Sequence, residues 1–117
     1  MASYPSCLFC RIVKGEIPAA LVYRNDGVTA FRDIAPQAPI HVVIVPDRHI
    51  TGAAEVTGAD EGLVGRLVRV AAEIARQESI AVSGYRLIVN QGRDAGQSVD
   101  HLHLHLLGGH PLPAALV

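Results

Sequence analysis

The sequence predicts one α+β domain, built from a mostly antiparallel sheet with helices on one face. Two strand-like runs meet at Asp26-Gly27, a pair that favours a tight hairpin turn. Residues 57 to about 79 carry apolar side chains at helical spacing, and residues 101–107 alternate with the two-residue period of a strand. Because 117 residues suffice for one core and are too few for two typical domains, we expect a single domain over residues 1–117.

The first third of the chain is predicted to hold a short helix, the hairpin and a buried strand. Apolar residues recur at helical spacing over residues 6–14, and Gly15 follows where a helix end often needs a left-handed residue. The hairpin has strands over residues 21–24 and 28–32. Residues 41–45 are predicted to form a strand that is buried on both faces.

The rest of the chain is predicted to hold the long helix and two more strands. Residues 57–60, Thr-Gly-Ala-Asp, have the form of a capping box. Gly65 inside the helix is either a tolerated flaw or a place where another backbone approaches closely. Residues 85–90 are predicted to form a strand, and a polar, glycine-rich loop over residues 91–98 leads to the last one. The apolar helix stripe comprises Leu63, Val64, Leu67, Val68, Ala71, Ile74 and Ala75.

Composition and charge exclude several classes of partner. Hydrophobic residues make up 50% of the chain and charged residues 18%, which is the balance of a folded globular protein. The formal net charge is -1 and the basic residues are scattered, so we expect no nucleic-acid polymer as a partner. The N-terminus lacks signal-peptide features and no stretch approaches membrane-spanning length, so we expect a cytoplasmic protein with no membrane partner.

The histidine run is the candidate functional element. In a strand, His101, His103 and His105 share one face and the intervening leucines share the other. A half-buried strand explains the leucines, but imidazole is costly to bury without partners and titrates near neutral pH. The alternation therefore indicates metal binding, or nucleophilic and proton-transfer chemistry.

The two cysteines are a second candidate feature. Cys7 and Cys10 are spaced Cys-x-x-Cys and are the only cysteines in the chain. This spacing is unsuited to a disulfide framework that staples a secreted domain. They are metal ligands, a redox pair or small core residues.

Several blocks of the sequence together resemble the Hint branch of the histidine triad, or HIT, family of nucleotide hydrolases and transferases. The resemblance spans nearly the whole chain, and it implies a five-stranded sheet with one long and one short helix. It also implies a homodimer in which the long helix and an adjoining strand join two subunits into one continuous sheet. The apolar stripe with Gly65 would then face a partner helix, although burial within one subunit explains the stripe equally well, and the C-terminal tail is expected to cross the interface. The blocks are residues 7–18, 30–41, 90–92, 96–99 and 101–107.

The resemblance also implies a reaction and the residues that perform it. Purine nucleoside 5′-phosphoramidates are hydrolysed through a nucleotidyl-histidine intermediate on His103. His105, Ser98 and His41 are implied to contact the phosphate or to assist the leaving group. Asp33 is implied to accept both ribose hydroxyls, a role suited to an acceptor-only carboxylate. The other residues implied to bind the nucleotide are Asn90, Gln97, Phe9, Ile12, Ile17, Phe31 and Ile34.

Relatives that carry Cys-x-x-Cys at this position bind zinc, and the resemblance implies the ligands Cys7, Cys10, His49 and His101. This closed Cys₂His₂ set is typical of a structural zinc ion. His101 would then be neither acid nor base, while its backbone carbonyl orients the ring of His103. Two alternatives stay open: a catalytic zinc held by the three triad histidines with an open position, and a non-catalytic nucleotide-binding module. The sequence alone also allows Asn90 and Ser98 to be loop caps.

Overall fold

The fold is an open antiparallel sheet with a helix packed on each of its faces. A computed structural model describes residues 6–114, so the predicted role of the tail lies partly outside the described residues. The strand order is β1-β2-β3-β5-β4 and every neighbouring pair is antiparallel, which confirms the predicted five-stranded α+β fold. The helices are α1 (Leu8–Val13) and α2 (Glu61–Gln77), and the strands are β1 (Leu21–Asn25), β2 (Val28–Arg32), β3 (Ile40–Pro46), β4 (Tyr85–Ile88) and β5 (Leu104–Gly108).

The first hairpin has the predicted two-residue turn. Asn25 pairs with Val28, so Asp26 and Gly27 alone form the connection. Both residues have positive φ, 53° and 78°, which is the left-handed conformation of a type I′ turn. The Asp-Gly pair therefore sets the register of β1 against β2 by local chemistry.

The two helices cover opposite faces of the sheet, which corrects the prediction that they lie on one face. Along β3, Val42 and Ile44 pack into the cluster that contains α2. Val43 and Val45 point the other way and pack against Phe9 of α1. A strand buried on both sides needs a cover on each side, and β3 is buried along nearly its whole length, as predicted.

The long helix uses its apolar stripe within the subunit. Leu67 and Ile74 are buried in the cluster against the sheet, whereas Val68 is 49% exposed on the outer surface. Gly65 is exposed, and a Cβ atom built on it meets no atom within 4 Å, so no backbone of the described chain approaches it. The predicted capping box forms on a 3₁₀ turn, Gly58–Asp60, that leads directly into α2, where the Asp60 carboxylate accepts from the backbone N–H of Thr57 at 3.0 Å. No helix in the described part of the chain is long and apolar enough to cross a membrane.

The last strand is shorter than the histidine run predicts. β5 begins at Leu104, which pairs with Ile44, although β3 continues for two more residues to Pro46; the segment before Leu104 therefore leaves the sheet while its neighbour continues. Leu102 instead donates its backbone N–H to the carbonyl of Ile50 at 2.6 Å. The predicted alternation still holds, since the leucines enter the core below α2 while His101 and His103 are buried on the other face.

Candidate active site and metal cluster

The three triad histidines are neighbours in space, but each side chain contacts a different set of residues. The rings of His103 and His105 are 5.0 Å apart between centroids, and Phe9 of α1 meets His103 edge-on at 5.1 Å. His101 belongs to a cluster with two cysteines, whereas His105 belongs to a cluster with an aspartate. Among the described residues, no group of potential metal ligands contains all three histidines, so their rings do not converge on one ion.

Four side chains from distant parts of the chain meet beside α1 with the geometry of a metal site. Cys7 Sγ lies 3.4 Å from His101 Nδ1, and Cys10 Sγ lies 3.3 Å from His49 Nδ1 and 3.6 Å from His101 Nδ1. In a tetrahedral zinc site with Zn–S of about 2.3 Å and Zn–N of about 2.0–2.1 Å, sulfur and nitrogen ligands are about 3.5 Å apart. All four ligand atoms lie within 4.8 Å of one another, so the set fits a closed tetrahedral metal site.

The surroundings of this cluster favour the ligand forms of its members. His101 is fully buried and donates from Nε2 to the carbonyl oxygen of Pro46 at 2.8 Å, which leaves the lone pair of Nδ1 facing the thiols. Burial lowers the pKa of His101 to about 4 and also lowers the pKa of His49. Both rings are therefore neutral near pH 7, as metal ligation requires. The backbone N–H of Cys10 points at Cys7 Sγ at 3.4 Å, a contact that stabilises a thiolate.

The middle histidine is oriented by the first. His103 is only 3% exposed, and its Nδ1 lies 2.7 Å from the carbonyl oxygen of His101. Because a carbonyl oxygen only accepts, Nδ1 carries the proton and Nε2 of the neutral ring carries the lone pair. In the neutral ring, the hydrogen bond therefore directs the lone pair to Nε2, the arrangement that a nucleophile or a base needs.

The third histidine belongs to a chain of polar groups on β3 and the loop before it. His41 Nε2 lies 2.9 Å from His105 Nδ1 and 3.4 Å from Asp33 Oδ2. On its other side, His41 Nδ1 accepts from the backbone N–H of Gln37 at 3.1 Å. Burial, followed by the neighbouring histidines, lowers the pKa of His105 to about 4, although Asp33 opposes the shift. His105 is therefore neutral near pH 7.

A largely apolar cleft of about 430 Å³ opens beside these histidines. It lies between α1 and the β1–β2 end of the sheet, and Phe9 and Phe31 meet edge-on in its wall at 5.4 Å. An aromatic and aliphatic slot with a carboxylate at its edge suits a flat heteroaromatic group attached to a polar sugar. The structure brings together here the predicted residues Phe9, Ile12, Ile17, Phe31, Ile34, Asp33 and Ser98.

The sequence profile of the HIT domain matches residues 14–112. The chain belongs to the HIT family. It is 52% identical over 105 residues to a purine nucleoside phosphoramidase of Escherichia coli K12, covering 90% of this chain and 88% of that protein. A HIT family hydrolase from Legionella pneumophila Philadelphia 1 superposes with a TM-score of 0.90 at 44% identity, covering 92% of this chain and 96% of that one. A histidine triad protein from Clostridium difficile gives 0.94 at 38% identity, covering 97% and 99%.

These comparisons confirm the family resemblance and the HIT fold, and they make the protein a HIT-family hydrolase. Apart from His103 and His105, two predicted nucleotide contacts of this HIT domain lie elsewhere than the cleft wall. The side-chain amide of Asn90 donates to the carbonyl of Ala95 at 2.9 Å, which is the loop-cap geometry. Gln97 accepts from the backbone N–H of Gly92 at 2.8 Å and donates to the carbonyl of Thr51 at 2.9 Å. Both amides hold the loop before the triad, and their contact with a nucleotide stays a prediction.

Sequence reasoning missed two backbone groups of the HIT site. The Pro46 carbonyl fixes His101, and the Gln37 N–H fixes His41. Peptide groups carry no residue-specific signal, so no motif search finds them. The only available hint was the loop over residues 35–39, where two prolines restrict the backbone around Gln37.

Proposed function

We propose that this HIT-family hydrolase cleaves purine nucleoside 5′-phosphoramidates with His103 as the nucleophile. The observation that carries the proposal is the hydrogen bond from His103 Nδ1 to the His101 carbonyl, which places the lone pair of the neutral ring on Nε2. The similarity to an E. coli protein named purine nucleoside phosphoramidase supports the substrate class. The cleft beside the triad supports a purine nucleoside, because its apolar walls end at a carboxylate.

In the proposed reaction, His103 Nε2 forms a bond to the α-phosphorus while the P–N bond to the amine breaks. The amine leaves with the bonding electron pair and takes up a proton from solvent. Water then attacks the phosphorus and gives up a proton to solvent, the bond to Nε2 breaks with its electron pair returning to the ring, and the nucleoside monophosphate is released. Asp33 accepts from the ribose hydroxyls in this scheme, while His105, Ser98 and His41 serve the phosphate and the leaving-group side.

We also propose that the metal of the Cys₂His₂ cluster is a structural zinc ion held by Cys7, Cys10, His49 and His101. Zinc would cross-link the start of α1 to two distant segments and fix the backbone at His101. The chemistry at phosphorus needs no metal in this proposal. Cysteine ligands must stay reduced to bind a metal, so we also propose a cytoplasmic location.

The proposed oligomer is a homodimer through α2. The buried stripe of this helix is used by its own sheet, so Leu67 is not available to a partner. What α2 leaves outside is a surface around Gly65 and Val68, where the glycine permits a close approach. This surface replaces the buried stripe as the proposed contact.

One substrate panel tests the activity. Purified protein should hydrolyse adenosine and guanosine 5′-phosphoramidates with a higher kcat/KM than diadenosine polyphosphates under the same conditions. The opposite preference would contradict the phosphoramidase assignment. Radiolabelled nucleotide trapped on His103 would exclude a non-catalytic binding module. A chelation experiment tests the tri-histidine zinc alternative, which would be favoured if turnover were lost on chelation and returned only with added metal.

A further inference from the structure

The peptide N–H of Gln37 dictates which nitrogen of His41 carries the proton. It donates to His41 Nδ1 at 3.1 Å, and an amide N–H cannot accept. A proton on Nδ1 would set two donors against each other inside the protein, where His41 is only 6% exposed. The geometry therefore disfavours a proton on Nδ1 and favours the His41 tautomer that carries its proton on Nε2.

The position of the proton on His41 determines the position of the proton on His105. The Nε2–H of His41 faces His105 Nδ1 at 2.9 Å, and the carboxylate of Asp33 is the more distant acceptor at 3.4 Å. His105 Nδ1 therefore accepts and carries no proton. Because burial also keeps this ring neutral near pH 7, the single proton of His105 must lie on Nε2.

We propose that Gln37 is a positioning residue whose peptide N–H fixes the tautomers of His41 and His105, so that His105 acts as a hydrogen-bond donor beside the nucleophile. The proposal rests on the proposed function and specifies what His105 does there. A fixed N–H next to the attacking imidazole stabilises negative charge that develops on the transferred phosphoryl oxygens. His103 and His105 then hold opposite tautomers, a lone pair on one Nε2 and a proton on the other.

The chain orients a donor and does not deliver a proton. If His105 lost its Nε2 proton and took the one from His41, the His41 ring would become an anion. Its only remaining neighbour on that side is the Gln37 peptide, which does not ionise near neutral pH. The His41–His105 pair therefore does not supply the proton of the leaving amine, which the scheme above takes from solvent.

Nitrogen-15 NMR of the histidine rings tests the tautomers without any turnover. In full-length, zinc-loaded protein near pH 7, His41 and His105 should each show an unprotonated Nδ1 and a protonated Nε2. His103 should show the reverse and serves as the internal control. A protonated Nδ1 on His41 or His105, or a cationic His41, would overturn the proposal.

A pair of variants at one position tests the cause. Gln37→Pro removes the N–H, whereas Gln37→Ala removes only the exposed side chain and its bond to the Ala35 carbonyl. The alanine variant should keep the wild-type tautomers, and the proline variant should show a mixture of them. The kcat of the proline variant should fall about tenfold below that of the alanine variant with little change in KM, because one net hydrogen bond biases an equilibrium by about that factor.

The outcomes separate this inference from the proposed function. Unchanged tautomers and equal kcat in the two variants would overturn the role of Gln37. If Gln37→Pro does not fold, the tautomers of the wild-type rings decide. Tautomers as expected in a protein that turns over no phosphoramidate would support the fixed ring chain and overturn the proposed function.

Discussion

His103 donates from Nδ1 to the backbone carbonyl oxygen of His101 at 2.7 Å, while the side chain of His101 faces two thiols. One residue therefore belongs to the metal cluster through its ring and to the reactive centre through its peptide. A bound ion would act on the nucleophile only through the position of this peptide. Loss of metal should accordingly affect folding before it affects the chemistry of the folded molecules.

Replacement of His103 should abolish turnover and spare nucleotide binding. His103→Ala and His103→Asn should each lower kcat by about a thousandfold or more, the scale expected for loss of a nucleophile. AMP should still bind by calorimetry, because Asp33 and the cleft are unchanged. His110→Ala is the matched control, since His110 is exposed beyond β5, and substantial hydrolysis by either His103 variant would refute the assignment.

Protein purified without added metal should contain one zinc ion per chain. Elemental analysis should give clearly lower occupancy in Cys7→Ser and in His49→Ala, because each variant removes one of four ligands. Removal of zinc should lower Tm by more than about 4 °C, the shift that roughly 1 kcal/mol produces in a domain of this size. Well under one zinc per chain, unchanged in Cys7→Ser, would contradict the site.

The outer surface of α2 should hold two subunits together. Light scattering at micromolar concentration should give about twice the chain mass of 12.4 kDa. Gly65→Leu should weaken the dimer, because the added side chain meets no atom of its own subunit and would separate the helices. Gly62→Ala is the control, because its added Cβ atom also lies in open space. This variant measures the stabilisation of about 1 kcal/mol that replacement of a helical glycine brings through helix propensity alone. A wild-type monomer would exclude the interface.

Stability should fall as the pH drops from about 6.5 to about 4. The pKa of His105 is about 4 in the folded chain and near 6.5 when unfolded, so in this window the unfolded state binds more protons. The free energy of unfolding in urea, measured at about pH 7, 6 and 5, should have a shallower slope in His105→Gln. The lowered pKa of His101 changes the free energy of unfolding equally in both proteins. The lowered pKa of Asp60 changes it only at pH values near or below the ordinary pKa of that group, 3.8. Equal slopes would contradict the buried, neutral state of His105.

Local chemistry made part of the fold predictable. Asp26-Gly27 needs no distant partner to form a type I′ turn, and the start of α2 depends on Thr57 and Asp60, which are three residues apart. Which face of the sheet each helix covers depends on packing across the whole sheet, and the prediction that both helices lie on one face was wrong. The start of β5 was missed for the same reason, since the segment before it bonds to Ile50, which is 52 positions away in the chain, and not to β3.

The site shows the same division between local and distant information. The cysteine pair marks a metal-type motif in four residues, but His49 and His101 lie 39 and 91 positions from Cys10. Only the family resemblance linked them, and the side-chain distances now support that link. The roles of the Gln37 and Pro46 peptides could not be predicted, because backbone groups look alike in any sequence.

The short helix α1 contributes neighbouring residues to the two candidate binding sites. Phe9 forms part of the cleft wall, and Cys10 belongs to the metal cluster. If the proposed zinc ion orders this helix, a nucleoside would lose less entropy on binding to the cleft, and the two proposed binding events would be heterotropically coupled. Reciprocity then requires that AMP tighten zinc binding by the same factor by which zinc tightens AMP binding. In a cell where the free metal is scarce, the supply of nucleotide would therefore help to decide how much of this protein is metallated.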